Sequence, residues 1–331
     1  MMKESKEYIL IRVIKAAGVG NIQLEEVPTP RPDSHQILVR TAKTLISRGS
    51  ELFRRYIMET AVDPSIMGYS LTGVVEQVGT EVTEYQIGQR VMVVAPHAQY
   101  AIGHTGSVVK GSMFKLPDSI SFEEGTFLLL AKEATSWVDS SGVKAGDRVV
   151  VLGQGIVGSL VMQLLRPHQP EQVITVDALP NRCQLSRQLG ADEVINAADV
   201  DPIQMVKDLT NGRGADLVID CVGGYAGVKS FEQAQEMVAA RGTIQLIALY
   251  QQQALPLHAS KIMNKRLIAG SLMDEAPVKT IKRAIDSMEQ GVIQIKEMIT
   301  HRFAYTEAKS AFDFLWQTPE KGLGVLLDWQ T

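Results

Sequence analysis

Three closely spaced glycines are the clearest chemical feature of this sequence. They lie in the run Gly153-Gln154-Gly155-Ile156-Val157-Gly158. The run directly follows the apolar segment RVVVL and opens the helical pattern of IVGSLVMQLLRPH. Gly153 permits a tight turn, Gly155 lets the backbone approach a phosphate, and Gly158 allows the helix to pack closely on the strand. Free N–H groups at a helix start bind phosphate oxygens, so the run predicts a dinucleotide pyrophosphate site.

A carboxylate closes the next predicted strand. Asp177 ends QVITVD, nineteen residues beyond Gly158. A carboxylate at this place accepts hydrogen bonds from the adenosine ribose and repels the additional phosphate of NADP. The sequence therefore predicts NAD as the cofactor, with NADP less favoured. Arg182, about one helical turn further on, is expected to flank the ribose or reach a phosphate, with a solvated helix residue as the alternative.

Three short segments follow other predicted strands. The carboxyl ends of parallel strands meet at one edge of a sheet, and such sheets bind ligands there. We therefore expect these segments to line the adenine and nicotinamide ends of the cofactor. Their residues are Cys221, Val222, Ala248, Leu249 and Ser271. Cys221 is expected to be a buried small apolar residue rather than a reactive thiol.

The elements that hold these residues alternate between strand and helix after Pro117. Apolar strands separated by helices predict a parallel sheet covered on both faces, the doubly wound α/β architecture. One helix is expected over 121–142, with Ser121 and Glu124 forming a capping box at its start. Residues 8–118 indicate short strands broken by turns, an irregular β-rich unit. The last strand, GVLLDW, suggests that the chain returns to this unit.

Length and composition limit the class of protein. The 331 residues favour two domains over a single core. A net charge of −4 provides no basic field for a polyanion, so nucleic acid is not an expected partner. Two cysteines, Cys183 and Cys221, are too few for a disulfide framework or a thiolate zinc site. No apolar stretch predicts a signal sequence or a membrane helix, and we expect a cytoplasmic protein with no membrane partner.

Several motifs in this order resemble the medium-chain dehydrogenase/reductase superfamily, the group of zinc alcohol dehydrogenases and quinone reductases. They are PTPRPDSHQILVRT, MGYSLTGVVEQVG, QIGQRV, GVKAGDRVVVLGQGIVG, RQLGADEVIN and FAYTEAKSAFDFL. The resemblance spans essentially the whole chain. It implies a GroES-like β-barrel catalytic domain over 1–127 with 272–331, and a Rossmann NAD-binding domain over 128–271. It also implies a small-molecule substrate in a cleft between the domains, and a homodimer formed through the edge of the Rossmann sheet.

The chain departs from this family at the positions of the metal ligands. Where zinc members carry Cys in a segment similar to G-x-C-G-S-D, the chain has 46–51, ISRGSE, with Arg48 at the ligand position. Tyr69 stands at the His of the family's Gly-His-Glu, and the third ligand would fall at Leu128 or Leu129. The four-cysteine lobe of the structural zinc is missing. We therefore expect neither zinc site.

A site without metal needs other groups to hold charge at the reacting oxygen. Ser50 matches the Ser/Thr proton-relay position of the family. Lys132 and Glu133 fall where the family has the helix that runs under the nicotinamide. Tyr69 would share the proton with Lys132, since a phenol beside an ammonium ionises more easily. The candidate catalytic residues are therefore Lys132, Tyr69, Arg48, Ser50 and Glu133.

These residues also have structural interpretations, which stay open. Arg48 would pair with Glu51 or Glu133, Tyr69 would fill the place of the metal, and Lys132 would extend to solvent. We expect Glu51 to orient its neighbours rather than to act in chemistry.

Two further groups are ambiguous. His97 and His104 are possible metal ligands, but we expect them in surface loops. Arg54-Arg55-Tyr56 could contact an anionic or polyhydroxylated substrate, and an exposed loop also explains this cluster.

The leading hypothesis is a zinc-independent, NAD-dependent oxidoreductase. It would transfer hydride between nicotinamide and a secondary alcohol or its ketone, such as a sugar, a cyclitol or a specialised metabolite. One alternative is an NAD(P)H-dependent reductase of a quinone or an activated C=C bond, although such relatives usually place Ser, Lys or Arg where Asp177 stands. The other is a non-catalytic dinucleotide-binding protein.

Overall fold

The elements of the chain are those of a computed structural model that describes residues 9–105, 111–250, 253–272 and 275–330. The strands are β1 Ile9–Lys15, β2 Ile22–Pro28, β3 Gln36–Ile46, β4 Leu71–Val78, β5 Arg90–Val93, β6 Tyr100–His104, β7 Met113–Lys115, β8 Arg148–Leu152, β9 Gln172–Asp177, β10 Glu193–Asn196, β11 Ala215–Asp220, β12 Val238–Leu246, β13 Arg266–Ala269, β14 Ile299–Ala304 and β15 Gly324–Asp328.

The helices are of three kinds. The α-helices are α1 Phe122–Gly125, α2 Leu128–Ser141, α3 Ile156–Leu164, α4 Pro180–Gln188, α5 Pro202–Leu209, α6 Gly227–Met237, α7 Ala259–Ile262, α8 Pro277–Glu289 and α9 Ala308–Gln317. A π-helix covers Arg48–Tyr56. Short 3₁₀ helices occupy Pro64–Ile66, Arg166–His168, Gly224–Ala226, Lys296–Met298 and Tyr305–Glu307. Within the described ranges, no helix is both long enough and apolar enough to cross a membrane.

The chain divides into two units. Unit 1 comprises Met1–Leu129 and Ile299–Thr331, and unit 2 comprises Leu130–Met298. The predicted first domain resumes at 272, whereas unit 2 extends to Met298. In α8, Arg283 forms an ion pair with Asp139 of α2 at 2.6 Å. Further on, the Gln294 N–H donates to Gln163 Oε1 of α3 at 2.7 Å. These contacts hold the segment in unit 2.

Unit 1 is built on a seven-stranded sheet. Its order is β14-β15-β3-β4-β5-β7, and β6 pairs with β3. The last strand, β15, pairs antiparallel with β3, where Val325 lies opposite Ile46, so the predicted return of the chain is confirmed. β1 and β2 form a separate antiparallel hairpin. β2, in which six of the seven residues are exposed or partly exposed, was not predicted from the sequence, nor were the short strands β6 and β7.

Unit 2 contains a six-stranded parallel sheet in the order β10-β9-β8-β11-β12-β13. This is the doubly wound order, in which the chain reverses direction across the sheet between β8 and β11. Four of the five residues of β8 are buried, because helices cover both faces of such a sheet. The predicted α/β architecture is confirmed.

The helix predicted over 121–142 is two helices. The capping box is present: Ser121 Oγ accepts the Glu124 N–H at 3.2 Å, and Glu124 Oε2 accepts the Ser121 N–H at 3.0 Å. α1 nevertheless ends at Gly125, because Thr126 makes other bonds. Its hydroxyl donates to the Glu123 carbonyl at 2.7 Å, and its own carbonyl accepts the hydroxyl of Ser70. These bonds replace the helical pattern before α2 begins.

Candidate functional site: a dinucleotide edge and a tyrosine cluster

The glycine run joins β8 to α3. Gly153 has φ +82°, a conformation that favours glycine. A Cβ at Gly158 would lie 1.8 Å from the Gly153 carbonyl oxygen, so a side chain does not fit there. A Cβ at Gly155 would meet only Arg182 Nη1, at 3.8 Å, among the described residues. The loop is therefore closed where the helix packs and open where a pyrophosphate would approach, which fits a dinucleotide.

Asp177 fastens this loop and keeps hydrogen-bonding capacity. Its Oδ2 accepts the Gln154 N–H at 2.7 Å, and its Oδ1 accepts the Leu179 N–H at 2.9 Å. Each carboxylate oxygen has a second lone pair, which can accept a ribose hydroxyl. The Gln154 side chain is buried and donates to the Val151 carbonyl at 3.2 Å. Gln154 thus supports the loop by its side chain and faces a ligand only by its backbone.

Arg182 lies beside Asp177 rather than in solvent. Its Nη1 is 3.9 Å from Asp177 Oδ2, and the side chain is 13% exposed. Burial lowers the pKa of the guanidinium, and the Asp177 carboxylate opposes this shift. Arg182 Nη1 is also the atom that faces Gly155, so the arginine borders the open side of the loop.

The other predicted cofactor residues follow β11, β12 and β13 at the same edge of the sheet. The Gly224 N–H donates to the Leu249 carbonyl at 3.0 Å, which joins the segments after β11 and β12. Ser271 Oγ lies 2.9 Å from Ser140 Oγ of α2. Burial raises the pKa of the Cys221 thiol well above its usual value, which favours an unreactive thiol. The sheet thus brings the predicted residues to one edge.

Sequence reasoning missed a buried carboxyl group at this edge. Asp220 has no exposed surface and accepts hydrogen bonds from Ser230 Oγ at 2.7 Å, Val222 N at 3.0 Å and Tyr250 Oη at 3.2 Å. Burial raises its pKa to about 6. The signal that could have identified it is a lone Asp ending the apolar strand ADLVID.

In unit 1, the segment expected to be a loop after Arg48 is the π-helix. Ser47 caps it and accepts the Ser50 N–H at 3.3 Å. Glu51 accepts the Ser47 N–H at 2.8 Å through Oε2, and its Oε1 lies 2.9 Å from His97 Nε2. Glu51 and His97 have no exposed surface. The prediction that His97 lies in a surface loop was therefore wrong.

Tyr69 lies beside this π-helix. We call Tyr69, with Ser47, Ser50, Glu51 and His97, the tyrosine cluster. Its phenol interacts with the hydroxyls of Ser47 and Ser50. Its pKa is raised to about 12, mainly by burial and in addition by Glu51, while the two serines and Arg55 oppose the rise. The expectation that Tyr69 ionises easily was therefore wrong. The phenol stays protonated at neutral pH and can donate a hydrogen bond.

The remaining candidate catalytic residues occupy other places. Arg48 Nη1 donates to the Leu315 carbonyl of α9 at 3.1 Å, and its guanidinium lies over the Phe53 ring, 5.4 Å from the centroid. These contacts favour a structural role. Lys132 Nζ donates to Glu133 Oε1 at 2.8 Å in unit 2. The structure thus pairs Ser50 with Tyr69, and Lys132 with Glu133.

The Arg54-Arg55-Tyr56 cluster forms the last turn of the π-helix, so its expected loop is absent. Tyr56 is buried and donates to Asp313 Oδ1 at 2.8 Å. Arg54 is exposed. Arg55 is partly buried, and its Nη1 has no hydrogen-bond partner among the described residues.

Within the described ranges, Glu51 and His97 give the region around Tyr69 a carboxylate and an imidazole, two groups of the kind that bind zinc. Zinc requires three or four N, O or S ligands. His97 Nδ1 is buried and lacks a hydrogen-bond partner within the described ranges. However, no group of three His, Cys, Asp or Glu side chains that could hold a metal exists in the part of the chain that the structure describes. His104, the other histidine considered, ends β6 and is partly exposed.

Comparisons with known proteins agree with this fold. Residues 33–127 match the family model of the alcohol dehydrogenase GroES-like domain, which confirms the predicted type of the first domain. Residues 157–290 match the model of the zinc-binding dehydrogenases. Among solved structures, an oxidoreductase/dehydrogenase of unknown specificity from Escherichia coli has a TM-score of 0.85 and 19% identity, covering 97% of this chain and 99% of that chain.

Curated proteins are similar along nearly the whole length. L-threonine 3-dehydrogenase of Bacillus licheniformis is 25% identical, over 92% of this chain and 94% of the relative. Sorbitol dehydrogenase of Bacillus subtilis is 22% identical, over 95% of this chain and 97% of the relative. With one family match in each unit, the chain is similar to these dehydrogenases in both units, and the matches point to the zinc-type group of the medium-chain dehydrogenase/reductase superfamily.

Proposed function

We propose that this protein is an NAD-dependent oxidoreductase that interconverts a secondary alcohol and its ketone without zinc. The two curated relatives are named for L-threonine and sorbitol, and both compounds carry secondary hydroxyl groups. The observation that carries the proposal is Tyr69, a protonated phenol in contact with two serine hydroxyls. By the resemblance, it stands where zinc members have a metal ligand. A hydrogen-bond donor there replaces the metal as the group that stabilises the reacting oxygen.

Tyr69 would act on the oxygen of the substrate. In ketone reduction its O–H donates a hydrogen bond to the carbonyl oxygen, which becomes an alkoxide as hydride reaches the carbon. An alkoxide is a stronger base than a phenolate, so the proton moves from Tyr69 to the oxygen. Ser50 stabilises the resulting phenolate by its hydroxyl. In alcohol oxidation the step runs in reverse: the phenolate form of Tyr69 accepts the proton of the hydroxyl, so this direction requires the phenol to be ionised first. The bound nicotinamide supplies or accepts the hydride.

Lys132 and Glu133 remain predicted catalytic residues. They form an ion pair of 2.8 Å in unit 2, with 18% of the lysine side chain exposed. Arg48 has no catalytic role in this proposal, because the Leu315 carbonyl and the Phe53 ring hold it.

The preference for NAD rests on Asp177. The carboxylate is only 8% exposed, so water screens it poorly from an additional phosphate. Arg182 Nη1, 3.9 Å away, would favour that phosphate. We propose that Asp177 prevails, because it bonds directly to the loop that holds the adenosine side of the cofactor.

The oligomer and the location remain proposals as well. β13 is an edge strand of the unit 2 sheet, and the exposed apolar side chains of Met263, Leu267 and Leu272 lie on or near it. Such an edge favours pairing with a second copy. We propose a cytoplasmic homodimer, and light scattering of the purified protein would test the dimer.

The function is tested by turnover and metal content together. NADH and NADPH consumption are followed with ketones, quinones and enones, before and after dialysis against a chelator, with zinc measured by elemental analysis. We expect ketone turnover with NADH at substoichiometric zinc. Preference for enones or quinones with NADPH would favour the alternative reductase, and loss of turnover that zinc restores would overturn the metal-free chemistry. Tight NADH binding with no turnover would indicate a non-catalytic protein.

A further inference from the structure

Arg55 is a cationic side chain of unit 1 that is available as a binding group. It lies one position short of the end of the π-helix, four residues after Glu51. Its guanidinium interacts electrostatically with the Tyr69 phenol and the Glu51 carboxylate. Arg55 therefore belongs to the tyrosine cluster, although the sequence favoured an exposed loop for it.

Glu51 does not neutralise Arg55 by direct pairing. Its Oε1 is engaged by His97 at 2.9 Å, and its Oε2 by the Ser47 N–H at 2.8 Å. Within the described ranges, Arg55 Nη1 is buried and bonds to no protein atom. A guanidinium keeps its charge at neutral pH, so a desolvated N–H donor remains for a ligand.

The two neighbouring arginines differ from Arg55. Arg48 is held by the Leu315 carbonyl and the Phe53 ring. Arg54 is exposed. Arg55 alone combines a buried donor with an interaction with Tyr69.

We propose that Arg55 binds a carboxylate of the substrate, so that the substrates are hydroxycarboxylic acids and their oxo acids. The inference rests on the proposed function, since Tyr69 then acts on the hydroxyl or carbonyl oxygen of the same molecule. The planar fork of a guanidinium matches the two oxygens of a carboxylate, and such charge-assisted pairs are stronger than neutral hydrogen bonds. Arg55 is thus a specificity-determining residue, and a neutral sugar or cyclitol would leave its donor unused.

The test compares acids with their neutral esters. NAD-dependent oxidation is measured for lactate, 3-hydroxybutyrate and 4-hydroxypentanoate, which vary the distance between hydroxyl and carboxylate, and for their methyl esters. We expect at least one acid to exceed its ester in kcat/KM by about 10-fold to 100-fold, as for a charge-assisted hydrogen bond. Arg55→Gln should remove this preference by raising the KM of the acid toward that of its ester. Arg55→Lys should keep part of it, because the charge remains without the fork.

Arg54→Gln is the matched control and should leave the preference as in the wild type. Thermal unfolding establishes that the variants fold, and Arg55→Lys serves as the readout if Arg55→Gln does not. If neutral alcohols turn over and no acid is preferred, or if the preference survives in Arg55→Gln, the inference about Arg55 fails while the proposed function stands.

A binding measurement identifies the opposite case, in which Arg55 binds a carboxylate but the proposed function is wrong. Pyruvate, acetoacetate and 4-oxopentanoate are titrated into the NADH complex while its fluorescence is recorded. Binding to the wild type that Arg55→Gln abolishes, without turnover of any alcohol, would support the carboxylate site and overturn the proposed function. No turnover and no binding would overturn both.

Discussion

Glu51 Oε1 lies 2.9 Å from His97 Nε2, and neither side chain has exposed surface. The other oxygen of Glu51 holds the Ser47 N–H at the start of the π-helix. The backbone N–H of His97 donates to the carbonyl of Met67 at 2.7 Å, and Met67 lies two residues before Tyr69. The pair thus joins the segment that carries Ser47 and Ser50 to the segment that carries Tyr69. It positions the phenol without contacting a substrate.

Removing this carboxylate should destabilise the protein. Glu51→Ala leaves a buried imidazole and a backbone N–H without an acceptor, so the free energy of unfolding should fall by about 3–5 kcal/mol. Glu51→Gln keeps an acceptor for the Ser47 N–H and should lose less. Urea unfolding measures both, with Glu81→Gln on the exposed surface as the control. A Glu51→Ala variant as stable as that control would contradict the structural role.

Two glycines of the same loop should respond differently to alanine. A Cβ at Gly155 enters open space near Arg182, so Gly155→Ala should unfold like the wild type but bind NADH at least about 10-fold more weakly, since the pyrophosphate loses its close approach. A Cβ at Gly158 would overlap the Gly153 carbonyl oxygen, so Gly158→Ala should lower the free energy of unfolding by about 1–3 kcal/mol or more. Isothermal titration and urea unfolding separate the effects. Equal NADH affinity in Gly155→Ala and wild type would count against this pyrophosphate site.

Asp177 should control the choice between NADH and NADPH. Asp177→Ser removes the charge that opposes the additional phosphate and leaves Arg182 in place, so the ratio of Kd for NADPH to Kd for NADH should fall by at least about 10-fold. Fluorescence titration with each cofactor gives the ratio. Asp199→Ser, an exposed substitution in the same unit, should leave it unchanged. If wild type already binds NADPH more tightly, the role given to Asp177 is wrong.

Asp220 should make the free energy of unfolding depend on pH, and the direction of its pKa shift sets the sign of this dependence. Its pKa is about 6 in the folded protein against a usual value of 3.8. As pH rises through this interval, the carboxyl ionises first in the unfolded chain. The free energy of unfolding therefore falls from its value below the interval, by up to about 3 kcal/mol. Asp220→Asn lacks this slope. The difference in free energy of unfolding, variant minus wild type, should therefore increase from about pH 4.5 to about pH 7.5. Asp208→Asn, at the surface, is the control, and a flat difference for Asp220→Asn would contradict the shift.

The dinucleotide edge could be predicted because its signals are local. Gly153, Gly155 and Gly158 lie in one turn, and Asp177 ends the following strand. A parallel sheet then brings the ends of its strands to one edge. The location of Cys221, Ala248 and Ser271 at this edge could therefore be predicted without knowing any distance between them. The parallel sheet followed from the alternation of strands and helices, and the return of the chain from the single strand that closes the sequence.

The tyrosine cluster could be predicted only in part, because its contacts join distant segments. Tyr69 and Ser50 were identified from aligned motifs, but Glu51 and His97 are 46 residues apart and no sequence pattern joins them. The π-helix has no signal in RGSELFRRY, so Arg55 seemed to lie in a loop. The pKa of Tyr69 depends on burial by side chains that only the fold brings together, so the direction predicted for its shift was wrong.

The kcat of Tyr69→Phe tests the central claim, that a phenol stabilises and protonates the reacting oxygen in place of a metal ion. The variant is measured in ketone reduction with NADH, beside Tyr225→Phe, whose side chain is largely exposed. We predict that kcat falls by about 10²–10⁴ in Tyr69→Phe, with the Kd of NADH and the thermal stability unchanged, and that Tyr225→Phe retains full activity. A Tyr69→Phe enzyme with the kcat of the wild type would contradict the claim.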